Sequence, residues 1–163
     1  ATIEENLRKI RPNISERELD EILEITGLAE VLKDFPDGIS TEINQFGLPL
    51  SQGSRITLAL ARGLISQPRI LMIDEAISSL DKKGQIAFLE NLSRIAEGRT
   101  LLVVTHELRL IQGFDQIAVL DEGSIVGLGT HEELLKDCNA YQTLWNLDEK
   151  LSDVSHMAPE RIA

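Results

Sequence analysis

The sequence predicts an α/β fold, a parallel sheet with helices packed against it. Two continuous apolar runs, "RILMID" at 69–74 and "TLLVVT" at 100–105, have the length and composition of strands buried on both faces. Between them lies a helical pattern with Ile86, Leu89, Leu92 and Ala96 on one side, giving the strand-helix-strand alternation of a parallel sheet. The hydrophobic content, 42% of 163 residues, supplies one core and leaves little room for a second independent one.

The other elements follow from local chemistry. Ser15 and Glu18 have the spacing of a capping box, and Leu19, Ile22, Leu23 and Thr26 continue a helical stripe that Gly27 stops. A short helix is expected over 28–33. "FPDG" at 35–38 is a turn, and 39–50 is irregular, ending near Pro49. Nearly every face of 53–66 carries Ile, Leu or Ala, which predicts a helix buried all round until Pro68 breaks it. Asp81 is expected to cap the helix after the first strand. "QIAVLDEGSIVGLG" at 116–129 places Glu122 and Gly123 between two apolar runs, the pattern of a hairpin. Thr130 and Glu133 form another capping box, starting a helix through about 136; a last helix is expected over 141–151, followed by a polar tail.

Composition narrows the function classes. Acidic residues outnumber basic ones 27 to 16, a formal net charge of -11, which argues against a nucleic-acid partner held by a basic surface. Cys138 is the single cysteine, so an internal disulfide and a cysteine zinc cluster are both excluded, and a reducing cytoplasm fits. "ILMI" and "LLVV" are far shorter than the roughly 20 residues a membrane helix needs, so a soluble chain is expected. With no initiator Met and no signal-like start, Ala1 reads as a cut inside a longer protein.

The candidate chemistry collects at strand ends. Open α/β sheets bind ligands at the carboxyl edge, and "RILMID" ends there in Asp74 and Glu75. In extended chain these neighbours point to opposite sides, so one can serve a metal and the other a water. A strand-end Asp suits magnesium, which keeps most of its waters and shares the substrate's phosphates, and a Glu can orient or deprotonate an attacking water. His106 follows the second apolar run at the corresponding height. Singly, each fits a solvated turn or a strand-end histidine; their order and spacing carry the weight.

Taken together, "LSQGS" at 50–54, "ILMIDE" at 70–75, "SSLD" at 78–81 and "VVTH" at 103–106 resemble the signature, Walker B, D-loop and switch-histidine motifs of the ATP-binding domain of ABC transporters. "LDEGSIVGLGTHEELL" at 120–135 is similar to the hairpin and helix that follow in that family, and "TIEENL" at 2–7 with "DGISTEINQFG" at 37–47 looks like its exporter subtype. The resemblance covers about residues 2–147. It implies a partial P-loop NTPase fold: a helical subdomain with the signature at 1–67, the C-terminal part of the three-layer parallel-sheet core at 68–147, and a polar, frayed tail at 148–163. It also implies ATP and Mg2+ as cofactors. Glu75 and His106 take catalytic roles, Asp74 serves the metal, and Ser51, Gln52, Gly53 and Asp81 contact the nucleotide. The implied partners are a second nucleotide-binding domain, identical or not, that sandwiches ATP against this one, and a transmembrane domain in the same chain or complex. The whole protein would then work at the cytoplasmic face of a membrane.

Nothing in the chain fits G-x-x-x-x-G-K-[ST], so the phosphate-wrapping loop is absent from this sequence and the chain alone is expected to be inactive. In the related fold the strand of that loop sits beside the strand that ends at the switch histidine, so 100–105 is expected to carry an unpaired apolar edge. Against the signature L-S-G-G-Q, Gln52 replaces a glycine and Ser54 the glutamine; Asn44 and Gln45 replace a Gly-Glu pair in the preceding loop. Two other classes share parts of the pattern: an ATPase of chromosome maintenance or DNA repair, and a non-catalytic ABC half that completes a partner's ATP site. The acidic charge and the exporter-like stretches argue against the first, and retention of Glu75 and His106 against the second. An importer ATPase would lack the exporter-like start.

Overall fold

A computed structural model describes residues 1–80 and 82–156, with side chains described through 148. The chain forms two compact units, Ala1–Thr105 and His106–Ala163. Among the described residues no helix is long and apolar enough to cross a membrane.

The first unit contains α1 (Ile3–Arg8), α2 (Glu16–Thr26), α3 (Leu28–Leu32), α4 (Gln52–Ile65), β1 (Ile70–Asp74), α5 (Lys82–Glu90), α6 (Leu92–Ala96) and β2 (Thr100–Val104). Thr2 and Glu5 close a reciprocal capping box at the start of α1, and an antiparallel bridge between Thr2 and Glu42 ties the chain's start to the loop before α4. α2 stops at Gly27, whose φ of 76° is the left-handed conformation that helix ends favour in glycine. Its opening differs from the expected box. Ser15 accepts the Glu18 N–H, but the Glu18 carboxylate turns away to Arg11 and to Gln67 Nε2, the latter at 2.9 Å. Competition from a cation and an amide explains why only half the box forms.

α1, α2 and α3 pack with α4 around Ile3, Leu7, Leu19, Leu28, Ala61 and Ile65, all buried. Each large member contributes on the order of 1.5–3 kcal/mol by leaving water. α4 is not buried all round as its composition predicts. Thr57, Leu58, Ala61, Leu64 and Ile65 face inward, while Ala59 and Arg62 face solvent, because the neighbouring helices cover one side only.

β1 and β2 pair in parallel, with Ile70 opposite Thr100 and Asp74 opposite Val104. The predicted strands and their direction therefore stand, but burial on both faces does not. Leu71 and Ile73 are buried, whereas Ile70 (62% exposed), Met72 (68%), Leu102 (48%) and Val104 (49%) line an open face. No described element covers that face, and β2 has β1 as its one strand neighbour among the described residues. The predicted helix between the strands is broken at Asn91 into α5 and α6. Phe88 and Ile95 are its core anchors, not the stripe of Ile86 and Leu89, which is largely exposed. The expected cap at Asp81 lies outside the described residues.

The second unit contains β3 (Ile117–Asp121), β4 (Ser124–Gly129), α7 (His131–Asp137) and α8 (Asn139–His156). β3 and β4 form the predicted hairpin. Glu122 and Gly123 at its turn have φ of 44° and 77°, the positive values a two-residue primed turn requires. The last helix runs beyond both ends of the 141–151 expectation, and residues 157–163 of the expected tail lie outside the described residues. Thr130 and Glu133 close the predicted capping box at α7. The Glu133 carboxylate accepts the Thr130 N–H at 2.9 Å, and this bond holds its pKa below the ordinary carboxylate value. A depressed pKa contributes stability above the unfolded value, about pH 4.3, and loses it as pH falls through the folded one. Acid unfolding monitored by circular dichroism should accordingly show part of its pH dependence flattened in Glu133→Gln.

α7 and α8 close over the hairpin, burying Ile117, Val119, Leu134, Cys138 and Tyr141. Burial raises the Tyr141 pKa, and its hydroxyl lies 2.8 Å from Nδ1 of His131, whose ring also packs edge-on against Trp145 at 4.6 Å between centroids. Gly127 permits the closure: a Cβ there would lie 2.7 Å from Cys138 Sγ and 3.0 Å from Leu134 Cδ2. Gly127→Ala should destabilise the second unit by about 1–3 kcal/mol, the usual cost of overpacking, read as a lower urea midpoint at unchanged slope.

Candidate functional site

Ser51 is the N-cap of α4. Its extended backbone (φ −64°, ψ 169°) turns its hydroxyl onto the first helical turn, where Oγ accepts the Ser54 N–H at 3.1 Å and lies 2.8 Å from Ser54 Oγ. Gln52 and Gly53 are the first two helical residues, Gln52 exposed and Gly53 half-buried, so the positive end of the α4 dipole is open to solvent. Such an end suits an anion. The Thr57 hydroxyl donates to the Gly53 carbonyl at 3.1 Å, one turn on.

The loop entering α4 is braced from both sides. Asn44 Oδ1 accepts the backbone N–H groups of Phe46 (2.8 Å) and Leu48 (3.1 Å), and Asn44 N–H donates to the Leu48 carbonyl at 3.0 Å. From the helix side, Arg55 Nη1 donates to the Phe46 carbonyl at 2.9 Å. Gly47 lets the arginine through: its φ is 80°, and an added Cβ would fall 2.5 Å from Arg55 Cδ. Asn44 and Ser54 stand out in the sequence as departures from the related motifs, but their bracing roles do not, and Arg55 does not stand out at all. An Asn three residues before a Gly is a turn signal for the first role; nothing in the spacing indicates the Arg55 bond or the Ser51–Ser54 contact.

Asp74 closes β1 on its open face and is exposed. Glu75 departs from the extended chain expected of it. Its φ of 49° is left-handed, so the alternation that would point Asp74 and Glu75 to opposite sides ends at Asp74. The Glu75 N–H still donates to the Val104 carbonyl at 2.9 Å, and the Ser78 hydroxyl caps the reversal by donating to the Glu75 carbonyl at 2.7 Å, with Oε2 at 3.4 Å. Ile77, buried at the start of the following turn, packs this corner onto α4. A left-handed non-glycine residue costs on the order of 1–3 kcal/mol, and such conformations gather at functional positions.

Ser51, Gln52, Gly53, Asp74 and Glu75 thus belong to the first unit. His106 does not share it: β2 ends at Val104, and His106, exposed, opens the second unit after Thr105. Asp81 lies outside the described residues. Among the described residues no group of three or more His, Cys, Asp or Glu side chains is arranged to hold a metal. Asp74 as a single exposed carboxylate fits magnesium nonetheless, since that ion is held by one or two carboxylates together with waters and substrate phosphates.

No family model matches the chain. Relatives are numerous. The chain is 38% identical over 141 residues to mouse "ATP-binding cassette sub-family B member 10, mitochondrial", covering 86% of this chain and 20% of that protein. It is 39% identical over 143 residues to the mouse "Mitochondrial potassium channel ATP-binding subunit", covering 88% of this chain and 20% of that one. Among solved structures, a bacterial Atm1-family ABC exporter with ATP bound superposes with a TM-score of 0.82 at 32% identity, over 91% of this chain and 26% of that chain. The chain spans about a fifth of the length of the curated relatives it matches.

Substitutions at the corner should separate strain from chemistry. Asn tolerates the left-handed region better than Glu, so Glu75→Asn is expected to stabilise the chain by under about 1 kcal/mol in urea unfolding. Glu75→Gln should leave stability unchanged.

Proposed function

The chain is part of an ATP-binding domain of the ABC exporter kind, and from that premise we propose that the whole protein hydrolyses ATP to power export across a membrane. The observation that supports this best is the corner after β1, where Asp74 ends a parallel strand and Glu75 follows in a left-handed backbone at the sheet's carboxyl edge. On this reading Asp74 holds Mg2+, which neutralises charge on the nucleotide's phosphates when bound. Glu75 orients the attacking water and accepts its proton, and the left-handed backbone aims its carboxylate away from the strand direction. His106 donates to the terminal phosphate, and Asp81 contacts the nucleotide.

Ser51 offers a hydroxyl and the N–H groups of Gln52 and Gly53 offer backbone donors, all at the positive end of α4, to a nucleotide held on a second nucleotide-binding domain. The remaining proposed partner is a transmembrane domain in the same chain or complex, which places the machine at the cytoplasmic face of a membrane. The substrate moved across it would be set by those membrane helices.

ATP turnover with magnesium, measured for this chain beside a form extended upstream through a phosphate loop, tests the reading. Turnover is expected in the extended form alone, with Glu75→Gln lowering it at least about 100-fold, the scale of a lost general base. Hydrolysis by the short chain by itself would overturn the assignment, because the phosphates would then be held by other residues. In the same assay Gln52→Gly is expected to raise turnover by removing a side chain from the nucleotide-facing end of α4; no increase would show that Gln52 does not crowd the site.

A further inference from the structure

The hydroxyls of Ser51 and Ser54 lie 2.8 Å apart on the first turn of α4, and the Ser54 N–H also reaches Ser51 Oγ at 3.1 Å. A hydroxyl has one hydrogen to donate and two lone pairs to accept with. Two hydroxyls in contact therefore spend one hydrogen between them and present the other to a third group. Which oxygen presents it depends on the direction of the shared bond.

A phosphate oxygen, a stronger acceptor than a hydroxyl, breaks the tie in favour of a free Ser51 hydrogen, and both directions satisfy the Ser54 backbone N–H. Ser51 Oγ already accepts it, and accepting the Ser54 hydroxyl as well fills both lone pairs. The hydrogen of Ser51 is then the one bond that oxygen has left to make. In that direction the Ser54 hydroxyl, the Ser51 hydroxyl and the ligand form a series of two hydrogen bonds, each polarising the next. In the opposite direction Ser51 is spent on Ser54, and the cap residue has no hydrogen for a ligand.

We propose that Ser54 is a positioning residue: its hydroxyl donates to Ser51 Oγ and holds the Ser51 hydrogen outward, toward the terminal phosphate of a nucleotide. The inference rests on the ATPase function proposed above and concerns a position where this chain has Ser in place of the glutamine of the related signature. Ser54 need not touch the nucleotide; it acts through Ser51.

In the phosphate-loop-bearing form, with ATP and magnesium, Ser54→Ala is expected to lower kcat/KM about two- to tenfold, the scale of one lost hydrogen bond. Ser54→Thr, which keeps the hydroxyl, should retain parent activity. In a Ser51→Ala background the further change Ser54→Ala should cost nothing more. Thermal unfolding of the 163-residue chain should not move in Ser54→Ala, because the backbone N–H that Ser51 caps survives. Parent-level activity in Ser54→Ala, or an undiminished penalty when Ser51 is already Ala, would overturn this inference and leave the ATPase reading standing. An extended parent that does not turn over ATP would overturn both.

Discussion

The ladder between β1 and β2 continues one residue past the end of β1, because the Glu75 N–H donates to the Val104 carbonyl after the chain has left the extended conformation. That single bond decides where the strand stops. With Asp74 paired opposite Val104 and Glu75 still tethered to it, the reversal is forced into one residue, which takes the left-handed conformation. The Ser78 hydroxyl on the Glu75 carbonyl and the buried Ile77 against α4 then hold the corner in place. Were the ladder to end one residue earlier, the two acids would exchange their relation to the sheet, and the proposed division between metal ligand and base would have no structural footing.

The same economy governs the start of α4. One loop, 44–50, is fixed by Asn44 from within and by Arg55 from the helix it enters, so the direction of Ser51 is set by covalent neighbours and by a guanidinium four residues on. The glycine at 47 is retained for space as much as for its φ, since the arginine stem passes where a Cβ would stand. Helix, loop and cap form one small lever, and a change at any of its three points is transmitted to the exposed end of α4.

Much of this was legible in the sequence because it depends on local chemistry. Gly27, the Thr130 and Glu133 box and the Glu122-Gly123 turn act within a few residues, and the structure places them as the pattern predicts. The strands were legible from their length and apolar content, but their burial was not. Ile70, Met72, Leu102 and Val104 have the composition of a face meant to be covered, and composition does not say whether a cover is present in the same chain. Glu18 was misread because a capping box assumes the carboxylate has no better partner, and Arg11 and Gln67 arrive from elsewhere in the chain. The left-handed Glu75 had no signal at all: nothing in a Glu residue asks for positive φ, and only the pairing with β2 imposes it.

Tyr141 and Trp145 are the only tyrosine and tryptophan in the chain, and both sit on α8 beside His131. All near-ultraviolet absorbance and intrinsic emission beyond that of phenylalanine therefore originate from one helix of the second unit. The half that carries Ser51, Asp74 and Glu75 has only the weak chromophores Phe35, Phe46 and Phe88. An emission-detected melting curve would follow the hairpin and α8 alone, and a tryptophan placed on α4 or α5 would give the signature end a voice of its own.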